Sequence, residues 1–190
     1  MGILDLFRKD EVLGTKVLVC ALGARFEDLR KGDSEVYLRY YSATTTATLP
    51  SIQALRGRLE EGYDIIHMLC DVGASGTIVD ANGEEITGTE LIQRCCDQNV
   101  KLLWAASDNP PERYIRGFGA RGKRLNLVMT LNRKGTNFPG FLGRMLSRMS
   151  SGETMPVAWN DLCPQVPRLD HPDAPESIFL AGRGGVKLLA

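Results

Sequence analysis

No apolar run in this 190-residue chain reaches the ~18–20 residues that a membrane span needs, so no spanning helix is expected. Net charge is missing as well. Lys+Arg and Asp+Glu both number 23, which excludes the chain as a whole from general polyanion binding. Histidine is scarce, with only His67 and His171. The cysteines are Cys20, Cys70, Cys95, Cys96 and Cys163, an odd number with no CxxC pair and no His–Cys cluster at zinc spacing. No cofactor or metal is therefore expected. No secretion signal is read at the N-terminus, so reduced thiols in a cytosol are the simplest expectation. Internal repeats, low-complexity tracts and interdomain linkers are also absent. What remains is an ordinary globular composition, 43% hydrophobic and 24% charged, of a size suited to one domain.

Residues 1–14 form a short segment with Ile3, Leu4, Leu6 and Phe7 ahead of Arg8 and Lys9. It is expected to be a short helix packed on the domain. An amphipathic docking segment is the sharper alternative. A myristoylation site would need Ser or Thr where Leu6 stands. The single domain is expected to run from 15 to 190.

Thr15 to Leu22 (TKVLVCAL) is a continuous apolar run broken by Gly23, which predicts a strand buried on both faces. Glu35 to Ser42 (EVYLRYYS) alternates and predicts a second strand nearer an edge. Pro50-Ser51 opens a helix with Ile52, Leu55 and Leu59 on one face, and Gly62 ends it. Tyr63 to Cys70 predicts a third strand, followed by a glycine-rich loop to Gly76. Ile78-Val79 and Glu85-Ile86 flank an Asn82-Gly83 turn, a hairpin signal. Thr87 with Glu90 has capping-box spacing, and Leu91, Ile92 and Cys95 continue on a helical face. Strands are then predicted over 100–106, 125–131 and 177–181. A helix is predicted over 138–149 and a helix fragment over 157–162. Strands alternating with helices imply an α/β fold with a mainly parallel sheet of six strands.

Ligands of open α/β sheets bind beyond the carboxyl ends of the strands. Those ends carry Gly23-Ala24-Arg25, Cys70-Asp71 and Ser107-Asp108-Asn109. The third and fourth strands are expected to be neighbours, which would set Asp71 opposite Ser107 or Asp108 across a shallow cleft. The Gly73–Gly76 loop lacks the Gly-Lys-Ser/Thr of a P-loop, and no GxGxxG follows the first strand, so a surface loop is expected there.

The run Tyr63-Asp64-Ile65-Ile66-His67-Met68-Leu69-Cys70-Asp71 resembles the CHAT type of caspase-like cysteine peptidase. That family carries a strand reading "D-hydrophobic-hydrophobic-H-hydrophobic-A-G-H-G", whose second His is the catalytic base. Its "DG..LT..EL" hairpin is similar to Asn82-Gly83, Ile86-Thr87 and Glu90-Leu91. Its next strand ends in "S-A-C" with the nucleophilic Cys, and Leu102 to Ser107 stands in that place. Its closing strand is similar to Phe179-Leu180-Ala181-Gly182. The resemblance covers roughly 15–185 and implies a caspase-like three-layer sandwich.

It also implies that the chemistry is lost. Asp71 holds the position of the base and Ser107 that of the nucleophile, while His67 matches the family's first, structural His. An imidazole with pKa near ~6.5 can keep a thiolate reactive, whereas a carboxylate near ~3.9 is a poor base for a serine hydroxyl. A Cys70–His67 pair is disfavoured, because residues three apart in a strand face opposite sides. The expectation is a degenerate dyad (Asp71, Ser107, with His67 and Asp108 as neighbours) in a protein-binding regulator or scaffold of a bacterial defence or signalling system. One alternative is a hydrolase with an altered Ser107/Asp71/Asp108 site.

The other alternative is nucleic-acid binding. Between Arg113 and Gly152 there is no acidic residue, while Arg113, Arg116, Arg121, Lys123, Arg124, Arg133, Lys134, Arg144 and Arg148 are basic. Arg113 to Arg124 are the candidate partner-binding residues, for an acidic protein or a nucleic acid. The bland expectation is that acids from elsewhere in the fold neutralise these charges.

Overall fold

A computed structural model describes residues 15–106, 125–132, 137–162 and 176–181, with the single positions 109, 113 and 117. The expected N-terminal segment 1–14, and the candidates Ser107, Asp108, Arg116, Arg121, Lys123 and Arg124, lie outside the described residues.

The chain order is β1 (Val17–Leu22), α1 (Glu27–Leu38), β2 (Thr44–Leu49), α2 (Ile52–Leu59), β3 (Ile65–Leu69), β4 (Thr77–Val79), β5 (Glu85–Thr87), α3 (Gly88–Asp97), β6 (Leu102–Ala106), β7 (Asn126–Asn132), α4 (Asn137–Ser150), α5 (Met155–Leu162) and β8 (Glu176–Ala181). The main sheet is six-stranded, in the order β2-β1-β3-β6-β7-β8. Its first five strands run parallel and β8 closes it antiparallel to β7. β4 and β5 form a separate antiparallel hairpin with Ile78 opposite Ile86.

Every residue of β1, β3 and β6 is buried, because helices cover both faces. The period of two splits these side chains between two cores. Leu18, Cys20, Leu22, Ile66, Met68, Leu103 and Ala105 pack with α2, α3 and the hairpin. Val17, Val19, Ala21, Ile65, Leu69, Leu102, Trp104 and Ala106 pack with α1, α4 and α5.

Several local signals act as expected. Ser51 caps α2 by accepting the Ala54 N–H at 3.1 Å, and Thr87 caps α3 by accepting that of Glu90 at 3.0 Å. Glu90 does not complete the capping box. Its carboxylate takes Arg56 and Arg94 instead. The hairpin turn uses Gly83 at φ 80°, a left-handed conformation that glycine adopts without strain.

One expected strand is wrong. Residues 35–42 do not form it. The chain is helical to Leu38, and the second strand is Thr44–Leu49. The stripe of α1 runs Leu29, Asp33, Val36, Tyr37, at helical spacing, but an aspartate interrupts its apolar character. β2 reads TTTATL, and its mostly small polar residues suit an edge strand, so it gives little hydrophobic signal.

Candidate functional site

β1 leads into α1, on one face of the sheet, while β3 leads through the hairpin into α3, on the other. The carboxyl ends of β1 and β3 therefore frame the switch point at which α/β sheets bind ligands. β3 and β6 are neighbours as expected, with Leu69 beside Ala106. Cys70 continues that ladder by donating its N–H to the Ala106 carbonyl at 3.2 Å.

Gly23 ends β1 at φ 98°, ψ 151°, a conformation open to glycine and costly for other residues. The chain can thus swing away from the sheet at once, and Arg25 comes to lie over the Phe26 ring at 4.4 Å. The Arg25 guanidinium pairs with the Asp71 carboxylate from the end of β3. The two side chains are 62% and 41% exposed, so the pair lies beyond the carboxyl ends of β1 and β3 in contact with solvent. Among the described residues this is the only ion pair of Asp71. The expected approach to Ser107 or Asp108 lies outside them.

The loop after Asp71 is braced. Gly73 donates its N–H to the Thr77 carbonyl at 2.7 Å, and Gly76 its own to the Gly73 carbonyl at 2.9 Å. Gly76, at φ 81°, lies directly against Gly117. A Cβ at either position would run into the other's backbone. Arg113 reaches back to the same loop and donates to the Val72 carbonyl and to Asn109 Oδ1, both at 3.0 Å. Of the candidate partner-binding arginines, Arg113 alone is described, and its guanidinium braces this loop. Arg148, at the far end of the basic stretch, pairs with Glu153 and Asp161. These two acids lie just beyond the stretch.

His67 does not stand beside Asp71. Its ring lies in the core under α1 and α4 with no exposed surface. Tyr37, Trp104 and Phe138 surround it at ring-centroid distances of 5.5, 5.5 and 5.8 Å. Nδ1 lies 3.2 Å from the Tyr37 hydroxyl. Nε2 lies 3.0 Å from Asp33 Oδ2, an ion-pair separation, although the ring N–H is not aligned on that oxygen. Asp33 is itself fully buried. Burial first, then the Asp33 charge and Tyr41, hold the Tyr37 phenol well above its ordinary pKa, so it is a neutral donor. Asp33 and Tyr37 are not legible as partners of His67 in the sequence, because no helix is read there and Tyr37 falls within the strand expected over 35–42.

The thiols lie in the opposite core. Cys20, Cys70 and Cys95 are buried among the side chains under α2 and α3. Burial pushes the Cys70 thiol up to about 12, against a small opposing effect of the Arg25 charge. Burial likewise raises Cys95 to about 12, helped by Cys96. Cys20 is raised further, by burial and then by Cys70 and Cys95. The sheet separates Cys70 from His67, as their strand spacing requires. Cys96 is half-buried and packs against the same core as the other thiols, across the sheet from His67. Among the described residues, no group of three or more His, Cys, Asp or Glu side chains is placed to hold a metal ion.

No family model matches the chain, and no curated protein does. Among solved structures, the chain is similar to the alanine–glyoxylate aminotransferase of Nostoc sp., at 18% identity and a TM-score of 0.38. That alignment covers 62% of this chain and 29% of the aminotransferase chain, so this chain spans less than a third of that length. A likeness at that level carries no argument about fold or function.

Proposed function

We propose that this chain is a caspase-like three-layer domain without peptidase chemistry, which acts by binding another protein as a regulator or scaffold. One observation supports it above the others. The imidazole and the buried thiols of the described residues lie on opposite faces of the sheet, and the position after β3 holds a carboxylate paired with an arginine. A cysteine peptidase needs a thiolate and an imidazole in hydrogen-bond reach at an accessible edge. Thiols held near pKa 12 in an apolar core do not supply the thiolate. The His-bearing strand, hairpin, two further strands, a helix and a closing strand follow one another, with α3 and α5 inserted, in the order that the resemblance to CHAT-type domains implies. The surface beyond the carboxyl ends of β1 and β3, where Arg25 pairs with Asp71, is the one we assign to the partner.

The test is incubation of the pure protein with a peptide library, read by mass spectrometry. No cleavage is expected. Cleavage that Ser107→Ala or Asp71→Ala abolishes would replace this reading with the hydrolase. The binding half is tested by affinity capture from an extract of the source cell, with Arg25→Glu in parallel. A partner held by the native chain and lost by the reversed charge supports the assignment; equal capture by both refutes it for this surface.

A further inference from the structure

We propose that the outer edge of β2 pairs with β2 of a second copy, so that the chain assembles as a two-fold dimer through a continuous sheet. β2 is one of the two edge strands of the main sheet. Its pairing with β1 is regular over all six residues, Val17 with Thr44 through Leu22 with Leu49, with no bulge.

The direction of its hydrogen bonds follows from two fixed points. The Ala43 carbonyl accepts from Val17 and the Leu49 carbonyl accepts from Gly23, both at 3.0 Å. Residues of that parity point their backbone groups at β1. The alternate residues Thr44, Thr46 and Thr48 therefore point their N–H and C=O groups outward. No described residue pairs with those groups in the sheet. Two of the threonine hydroxyls are turned to their own chain: Thr44 Oγ1 donates to the Tyr41 carbonyl at 2.6 Å, and Thr48 Oγ1 accepts from Arg30 Nε at 3.2 Å.

Natural sheets protect such an edge with charge, proline or a bulge. Here no charged residue occurs from Tyr40 to Leu55, and Pro50 lies just past the strand. The other edge strand, β8, carries Glu176, and Arg183 follows it. An edge strand with no charge, proline or bulge of its own, in an otherwise charge-rich chain, calls for an occupant.

A second copy is the occupant the sequence fits. Read about Thr46, the strand is nearly palindromic: Thr44 mirrors Thr48, Thr46 mirrors itself, and small Thr45 mirrors small Ala47. An antiparallel two-fold pairing centred on Thr46 sets Thr44 opposite Thr48 of the other copy and Thr46 opposite Thr46. Each of these pairs joins residues whose backbone groups already face outward, so each exchanges two N–H···O bonds. Registers centred on Thr45 or Ala47 leave one of the three outward-facing threonines without a threonine partner. Thr–Thr neighbours across strands are favourable, and the strand carries no charge of its own; Arg30 reaches it only at Thr48, away from the axis at Thr46.

The experiment is sedimentation of the full chain with and without substitution. The native chain is expected to dimerise reversibly with concentration. Thr46→Lys places two ammonium groups together at the axis and is expected to leave a monomer. Val157→Lys adds the same charge at an exposed apolar position and is expected to leave the dimer intact. A native monomer at all concentrations, as when another segment or a different partner occupies the edge, overturns the proposal. So does a dimer that Thr46→Lys leaves untouched. Cysteine cross-linking reads the register without depending on the lysine variant. Opposed Cα atoms of a bonded antiparallel pair stand about 5.5 Å apart, within disulfide reach. Under mild oxidation Thr46→Cys is expected to give a covalent dimer above the native background. Thr44→Cys, about 14 Å from its own copy along the strand, is not. Equal cross-linking of both, or of neither, refutes the register.

Discussion

Replacing His67 by phenylalanine isolates the polar part of the buried Asp33–His67–Tyr37 contact. The larger phenyl ring leaves no cavity inside the box of Tyr37, Trp104 and Phe138, and the double-variant cycle subtracts its overpacking cost. What is lost is the 3.0 Å contact to the Asp33 carboxylate and the 3.2 Å contact to the Tyr37 hydroxyl, both in a region without solvent. Leaving a buried polar partner unsatisfied costs about 1–3 kcal/mol, and more where that group is charged. Folded domains hold only about 5–15 kcal/mol in total, so His67→Phe should remove a sizeable share of the stability. At about 2–4 °C per kcal/mol for a chain of this size, the melting temperature should fall by about 2–12 °C. The companion is Asp33→Leu in the same chain. With both polar partners gone, the double variant should recover much of the loss, since hydrophobic replacement of a buried pair is often neutral. Urea denaturation of the native chain, both single variants and the double variant gives the coupling energy. A loss under about 1 kcal/mol for His67→Phe, or a double variant equal to the sum of the singles, would refute the account of this contact.

The thiols offer a second check: Cys20, Cys70 and Cys95 should be silent to an aromatic disulfide reagent at pH 8 in the native chain and react on unfolding, and rapid native labelling of all three would overturn the burial argument. Asp80 accepts N–H bonds from Ile52 and Asn82, both at 2.8 Å, and from Glu84 at 3.0 Å, and so ties the hairpin to the start of α2. The Ile52 N–H, more than the burial that opposes it, holds this carboxyl below the usual carboxylate range. Its stabilisation is therefore present above the unfolded pKa near ~3.9 and is lost as pH falls through the lower folded value. Asp80→Asn should be less stable than the native chain at neutral pH and should flatten that acid limb, a result readable from melting curves across pH. Gly76→Ala should destabilise by at least about 1 kcal/mol, since it adds a Cβ at positive φ against the Gly117 backbone. An unchanged melting temperature for Gly76→Ala would show that the two loops do not approach so closely in solution.

The sequence alone determined the sheet-and-helix alternation, the buried central strands, both helix caps and the Asn-Gly hairpin. Each of these depends on neighbours close along the chain, such as the run Val17–Leu22 or the pair Ser51 and Ala54. It also separated Cys70 from His67, because the period of two is a property of any strand. It failed at Glu35–Ser42, where a buried aspartate blurred the apolar stripe of α1 and a threonine-rich edge strand carried little hydrophobic signal. Only the tertiary structure decided that Arg25 meets Asp71, that Asp33 and Tyr37 meet His67, and that Arg113 turns back to the Val72 carbonyl. Those pairs are joined across strands and helices far apart in sequence. Their meeting is set by strand order and by which face each helix covers, and neither is written in any local pattern.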